Sequence, residues 1–213
     1  MPNALAVVAH HDDHVLWMGG SILRLKSIGW NLTVIAMCID DHQRKQYFDT
    51  CCKQMGVDRY QSFPFRDYLS GAAFSLNNRQ HMESCLSDAI GNENYDLIFT
   101  HSRFPLGEYW ALHANHVEVR EITRARFNAS KEKIAYFDYD VIYGGGTGTC
   151  ARTSTPNWVI QLTYRELVEK AVYCIQAPDA NTSLVNLAYP CPNPEAFEGD
   201  NLILPTAPFI ARP

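Results

Sequence analysis

Ala4-Leu5-Ala6-Val7-Val8-Ala9-His10-His11-Asp12-Asp13-His14 is the stretch that decides how this 213-residue chain is read. Its first six residues are small or apolar without a break, which suits a central parallel strand buried on both faces. Its last five are all ionisable or able to ligate a metal. Gly19-Gly20 and the periodic run Ser21-Ile22-Leu23-Arg24-Leu25-Lys26 come next, so a helix follows the strand. The polar cluster then lies at a strand's carboxyl end, where open α/β sheets bind ligands and carry out chemistry. Gathering five such side chains there costs free energy unless something pairs with them, and a divalent cation would do so. A lone Asp in this place is usually a helix cap. Three His flanking two Asp ask for more than a cap.

The same alternation continues outward from this stretch. Buried or extended strands are predicted over 32–37, 60–65, 96–101, 133–140 and 158–164. Helices are predicted over 43–55, stopped by Gly56, over 78–90, ending at Gly91, and over 116–127 and 165–176. Strand and helix in turn over the first 130 or so residues predict an α/β fold, a Rossmann-like, mostly parallel sheet with helices on both faces. No repeat or linker divides the chain, so residues 1–213 are expected to form one domain. From about residue 178 the Pro- and Asn-rich sequence predicts irregular structure. The run Gly144-Gly145-Gly146-Thr147-Gly148 lacks the Lys-Ser/Thr and the following helix of a phosphate loop, and is expected to be a flexible surface loop.

Composition narrows the function. The formal net charge is −5 and no block of Lys or Arg occurs, which argues against nucleic acid or an anionic membrane as partner. No apolar run approaches membrane-spanning length, and no basic segment precedes an apolar core at the N-terminus. Seven Cys without a CxxC pair suit packing residues in a reduced, cytoplasmic setting.

A second cluster supports the first. After the strand ending in Thr100-His101 comes Gly107-Glu108-Tyr109-Trp110-Ala111-Leu112-His113-Ala114-Asn115-His116. Two His three apart at a helix start point toward one space, and it is the same sheet edge that carries His10 to His14. Three or four His and carboxylate ligands with an open position make a catalytic zinc site.

Ala9-His10-His11-Asp12-Asp13-His14, Gly19-Gly20 and the His113…His116 pair together resemble the LmbE/PIG-L family of metal-dependent N-deacetylases. That family opens with an apolar strand and Ala-His-Pro-Asp-Asp-Glu, followed by a helix begun by Gly-Gly and a later His-x-Asp-His. The likeness covers roughly the first 130 residues. It implies a Rossmann-like sheet and hydrolysis of an N-acetyl group on an amino sugar or related small molecule. It further implies that His10, Asp13 and His116 ligate the metal and that Asp12 is the general base. His113 would stabilise the oxyanion or protonate the leaving amine, with Tyr109 aimed at the oxyanion. Zinc is the expected cofactor, with Fe2+ as the alternative. Arg66, Asp67 and Arg79 are candidates for gripping hydroxyls or a phosphate of the substrate, against the plainer reading of solvated charges.

The chain departs from the family at three places. His11 stands for Pro, His14 for Glu, and Asn115 for the Asp that would orient the catalytic His. Neutral Asn115 gives up an ion pair, so His113 is expected to hold its proton less tightly. Two other readings compete. A non-catalytic Rossmann-like nucleotide- or sugar-binding protein would need a Gly-rich turn where His10 to His14 stand. A non-haem iron enzyme would also use two His and a carboxylate, on a β-barrel more often than on an α/β sheet. The substrate itself is not legible in the sequence, nor is a homo-oligomer, although the tail Leu202-Ile203-Leu204-Pro205 has the composition to lie across a neighbouring subunit.

Overall fold

Along β1 (Asn3–Val8) successive side chains leave opposite faces of the sheet, and both sets are buried. Ala4, Ala6 and Val8 join one apolar cluster, while Leu5 and Val7 join another. The first cluster is closed by α1 (Asp13–Ser27), α2 (His42–Gln54) and α5 (Tyr164–Ile175), through Ile22, Leu25, Phe48, Cys52 and Cys174. The second is closed by α3 (Arg79–Ile90) and α4 (Ala114–Arg126), through Met82, Leu86, Ile90, Val119 and Ile122. A strand apolar on both faces thus receives helices on both faces, which is the α/β class expected. The computed structural model describes residues 1–67, 77–102, 113–137, 139–144, 147–152, 156, 158–177 and 195–199.

β2 (Asn31–Ala36), β3 (Arg59–Ser62), β4 (Leu97–Thr100), β5 (Ile134–Phe137), β8 (Trp158–Ile160) and β9 (Glu195–Glu198) complete a seven-stranded sheet in the order β3-β2-β1-β4-β5-β9-β8. β3 to β5 are parallel, with Ala4 paired to Leu32 on one side and Leu97 on the other. β9 runs antiparallel to both β5 and β8. The chain moves outward from β1 to β3, then returns past β1 to form β4. The helices that follow β1 and β4 therefore pack on opposite faces of the sheet, the switch point at which open α/β sheets bind ligands. His10 and His101 leave the sheet at that point.

Four expectations need correction. The helix predicted after Gly19-Gly20 begins at Asp13 instead and bends at Met18 (φ −142°, ψ 19°). The glycines serve a close approach: a Cβ on Gly20 would lie 2.2 Å from Leu162 Cδ2, so no other residue fits without moving Leu162. The helix predicted over 116–127 starts two residues earlier, at Ala114, which makes His113 its N-cap. The supposed loop over 144–148 contributes Gly144, Thr147 and Gly148 to an antiparallel pair, β6 (Tyr139–Gly144) with β7 (Thr147–Arg152). Gly144 pairs with Thr147. Lastly, β9 falls in the stretch expected to be irregular, because Glu-Ala-Phe-Glu carries no strand signal and is held by its partners on either side. No helix among the described residues is long and apolar enough to cross a membrane.

Candidate metal centre

The turn from β1 into α1 fans five consecutive side chains to different sides. Asp12 is the N-cap residue of α1, and its carbonyl accepts the N–H groups of Val15 and Leu16 at 2.9 Å. Its carboxylate makes no capping bond, and lies 3.8 Å from His11 Nδ1. Asp13, one position on, turns inward and is 2% exposed. Its carboxylate accepts the backbone N–H of His10 at 2.6 Å and the indole N–H of Trp17, one helical turn later, at 3.1 Å. Each oxygen keeps a lone pair for a further partner.

His10 Nδ1 and His116 Nε2 stand 3.0 Å apart. Asp13 Oδ2 is 3.4 Å from His10 Nδ1, and Asp13 Oδ1 is 3.4 Å from His116 Nε2. Ligands bound tetrahedrally at about 2.0–2.1 Å are separated by about 3.3–3.4 Å. His10, Asp13 and His116 approach one another at distances of that order, through different oxygens of Asp13, and the atoms able to hold a metal also group as His10, His113 and His116 and as Asp13, His101 and His116. The electrostatics agree. Burial alone would raise Asp13, yet His116, His101 and His10 hold its carboxyl well below the usual range. Burial likewise favours neutral His10, but Asp13 and Asp67 outweigh it and push the ring up to about 9. The centre needs a positive charge among these groups, and a divalent ion supplies one as well as a proton does.

Two further His line the centre. His101 Nε2, 3.4 Å from Asp13 Oδ2, accepts the backbone N–H of Ala9 at 2.8 Å, so that lone pair is committed. Its ring stacks on His116 with centroids 4.0 Å apart and forms a back wall. His113 packs edge-on against His10 at 4.5 Å. Its Nδ1 accepts the Asn115 backbone N–H at 3.3 Å, the N-cap bond of α4, which leaves the proton on Nε2. Burial, with His10 and His116 nearby, lowers its pKa to about 2, so the ring is neutral.

The sequence reading is revised at several positions. His14 does not join the centre: it is wholly buried, edge-on to Phe48, with Nε2 3.7 Å from Cys52 Sγ, and burial pushes its pKa down to about 3. His11 packs against Tyr47 of α2. Only His10 and Asp13 of the five meet His116. Successive residues of a strand-to-helix turn cannot share one direction. Asp67, expected to grip substrate, has its oxygens directed at His10 Nε2 (3.1 Å), His113 Nε2 (3.5 Å) and Arg44 Nη1. Arg79 is exposed on α3 and paired with Glu83 at 3.1 Å. Arg66 is exposed beside the centre, its carbonyl accepting from Asn115 Nδ2 at 3.1 Å and Asn77 Nδ2 at 3.0 Å. The side-chain amide nitrogen of Asn115 donates to that carbonyl and to Cys38 Sγ, while its backbone N–H donates to His113 Nδ1. Tyr109 lies outside the described residues. His101 was read only as a strand end, although a His at the carboxyl end of a central strand is itself a signal for such a site.

The family described as PIG-L: GlcNAc-PI de-N-acetylase matches residues 5–127. No curated protein sequence matches the chain. Among solved structures, the conserved protein TT1542 from Thermus thermophilus aligns over 97% of this chain and 98% of its own, at 13% identity and a TM-score of 0.65. N,N'-diacetylchitobiose deacetylase from Pyrococcus horikoshii aligns over 92% and 82%, at 17% identity and a TM-score of 0.59. GalB, the 4-carboxy-2-hydroxymuconate hydratase of Pseudomonas putida KT2440, aligns over 88% and 83%, at 13% identity and a TM-score of 0.59. At these identities the likeness establishes the fold, which evidently hosts more than one reaction.

Proposed function

This chain belongs to the PIG-L, or GlcNAc-PI de-N-acetylase, family, and from that premise we propose that it is a metal-dependent amide hydrolase that removes an N-acetyl group from an amino sugar or a sugar-containing small molecule. Zinc is the metal proposed. The observation that carries this reading is the spacing of His10 Nδ1, the Asp13 carboxylate and His116 Nε2, at 3.0–3.4 Å, at the carboxyl end of β1. Two imidazoles and a carboxylate are a zinc-type donor set that leaves a position open.

When bound, the ion polarises an amide carbonyl and makes water acidic enough to attack near neutral pH. The chain's own groups do the rest. Asp12, adjacent to the ligand Asp13 but pointing elsewhere, takes the proton of the attacking water. The water oxygen bonds to the carbonyl carbon, the C–N bond breaks, and the nitrogen leaves as an amine once it has gained a proton. Acetate and the free amine are the products. His113 presents an Nε2–H, which hydrogen-bonds the carbonyl oxygen as charge builds on it, and the proton that Asp12 has taken from the water passes to the departing nitrogen. Tyr109 is proposed to share the oxyanion task, and Arg66 is proposed to meet the sugar hydroxyls. The fold likeness to a deacetylase of N,N'-diacetylchitobiose supports a sugar as substrate.

The test is metal analysis of protein purified without chelator, followed by assay of acetate release from N-acetylated amino sugars under anaerobic conditions. About one metal ion per chain and acetate without oxygen support the reading. Protein that binds no divalent metal, or that turns over only with oxygen, refutes it.

A further inference from the structure

Asp67 lies just beyond β3, and its surroundings fix it firmly. Its backbone N–H donates to Asp40 Oδ2 at 3.3 Å. The preceding residue, Arg66, is clamped by Asn77, whose side chain accepts from its N–H at 3.1 Å and donates to its carbonyl at 3.0 Å. Asn115 donates to the same carbonyl from α4. The side chain of Asp67 then has little choice of direction: Oδ2 pairs with Arg44 Nη1 from α2, and Oδ1 faces His10 Nε2 at 3.1 Å and His113 Nε2 at 3.5 Å.

An ionised carboxylate only accepts hydrogen bonds. His10 Nε2 and Asp67 Oδ1 stand 3.1 Å apart, each buried without an aligned hydrogen bond, and an Nε2–H turned onto Oδ1 would satisfy both. In a neutral imidazole that places the lone pair on the other nitrogen. For His10 the other nitrogen is Nδ1, the atom that faces Asp13 and His116. We propose that Asp67 is the positioning residue of the metal centre: pinned by Arg44, it takes the Nε2–H of His10 and so presents the Nδ1 lone pair to the metal. Metal-ligating His commonly donate their second N–H to a carboxylate, and removing such a partner typically weakens metal affinity by about 10–100-fold. Asp67 also supplies the carboxylate that faces His113, a place the family gives to the residue that is Asn115 here. The inference rests on His10, Asp13 and His116 being metal ligands.

The test is zinc affinity, measured by competition with a chromophoric chelator, together with the proton positions of His10 from 15N NMR of the zinc-loaded wild type. Asp67→Ala is expected to weaken zinc binding by about 10–100-fold. Asp67→Asn, which keeps an accepting oxygen, should fall between the two, and Arg44→Gln should shift affinity in the same direction by less. The NMR should place the proton on Nε2 and the metal on Nδ1. Asp67→Ala binding zinc as tightly as the wild type, or a wild-type proton on Nδ1, overturns the inference. If Asp67→Ala does not fold, the wild-type NMR alone decides. Failure of the wild type to bind zinc refutes the metal-hydrolase reading itself, whereas tight wild-type binding indifferent to Asp67 refutes only this inference.

Discussion

Lys170 Nζ and Glu195 Oε1 lie 2.7 Å apart in the interior, joining α5 to the start of β9. Glu195 also accepts the backbone N–H groups of Gly20 and Ser21 at 2.8 and 2.7 Å, and the Ser21 hydroxyl. The bend of α1 at Met18 exposes those N–H groups as a fresh helix N-terminus would. A distant carboxylate satisfies them, and Lys170 balances its charge. This knot fastens the C-terminal elements to the helix whose first turn carries Asp13. Replacing either partner alone, Lys170→Met or Glu195→Gln, is expected to cost about 3–5 kcal/mol, because each leaves a buried group uncompensated. The double variant should lose clearly less than the sum. Urea denaturation of the four proteins measures this, and additive or sub-kilocalorie losses would contradict it.

Asp12 and Asp13 separate base from ligand. Asp13→Asn should lose metal, since the amide cannot offer an anionic oxygen to both neighbouring His. Asp12→Asn should keep its metal and lose turnover by about a hundredfold or more. Equal loss of metal in both would show the roles to be misassigned. His14→Leu should keep wild-type metal content, as His14 packs against Phe48 and Cys52.

Asn115→Asp restores the family's residue and should nonetheless be harmful. The Asn115 amide donates to the carbonyl of Arg66 at 3.1 Å. A carboxylate there would face that oxygen without a hydrogen and carry a new charge at a wholly buried position, at a cost of about 1–3 kcal/mol. A lowered Tm is the expected result. An unchanged Tm with a shifted pH profile would instead favour the orienting role expected from the sequence.

Gly20→Ala should destabilise by about 1–3 kcal/mol through overpacking. The contact it creates is with Leu162 Cδ2, at the end of a flexible side chain. Leu162→Ala in the same protein should therefore make Gly20→Ala nearly harmless, which thermal denaturation of the two pairs would show.

Glu166 links α5 to α1 through Arg24 and completes a capping box with Thr163. Burial would raise its pKa, but Arg24 and the Thr163 N–H lower it below the usual value. The fold therefore favours the ionised form. That stabilisation is fully present above the unfolded pKa of about 4.3 and is lost as pH falls through the lower folded value. The stability gap between wild type and Glu166→Gln, about 1 kcal/mol at neutral pH, should close on acidification below about pH 4. A gap that persists there would mean that the charge is not its source.

The residues 4–14 by themselves determined the central strand, its burial on both faces and the side of the sheet that carries the chemistry. Period and residue type are local properties, and an apolar run on both strand faces admits helices on both. The same stretch also marked His10 and Asp13, because polar groups after a buried strand require a partner. Tertiary structure decided which groups meet. His14 and His10 are equally polar in sequence, but the turn into α1 sends one toward Phe48 and the other toward His116. Asp67 could be read only as a charged loop residue, because its relation to His10 depends on β3 lying two strands from β1 and on Asn77 and Asn115 holding Arg66. β9 left no local trace at all, since its strand exists by pairing with β5 and β8 and by the Lys170–Glu195 contact. Short-range patterning specifies the elements, whereas the distances that make a site are set by long-range packing, which no window of the sequence contains.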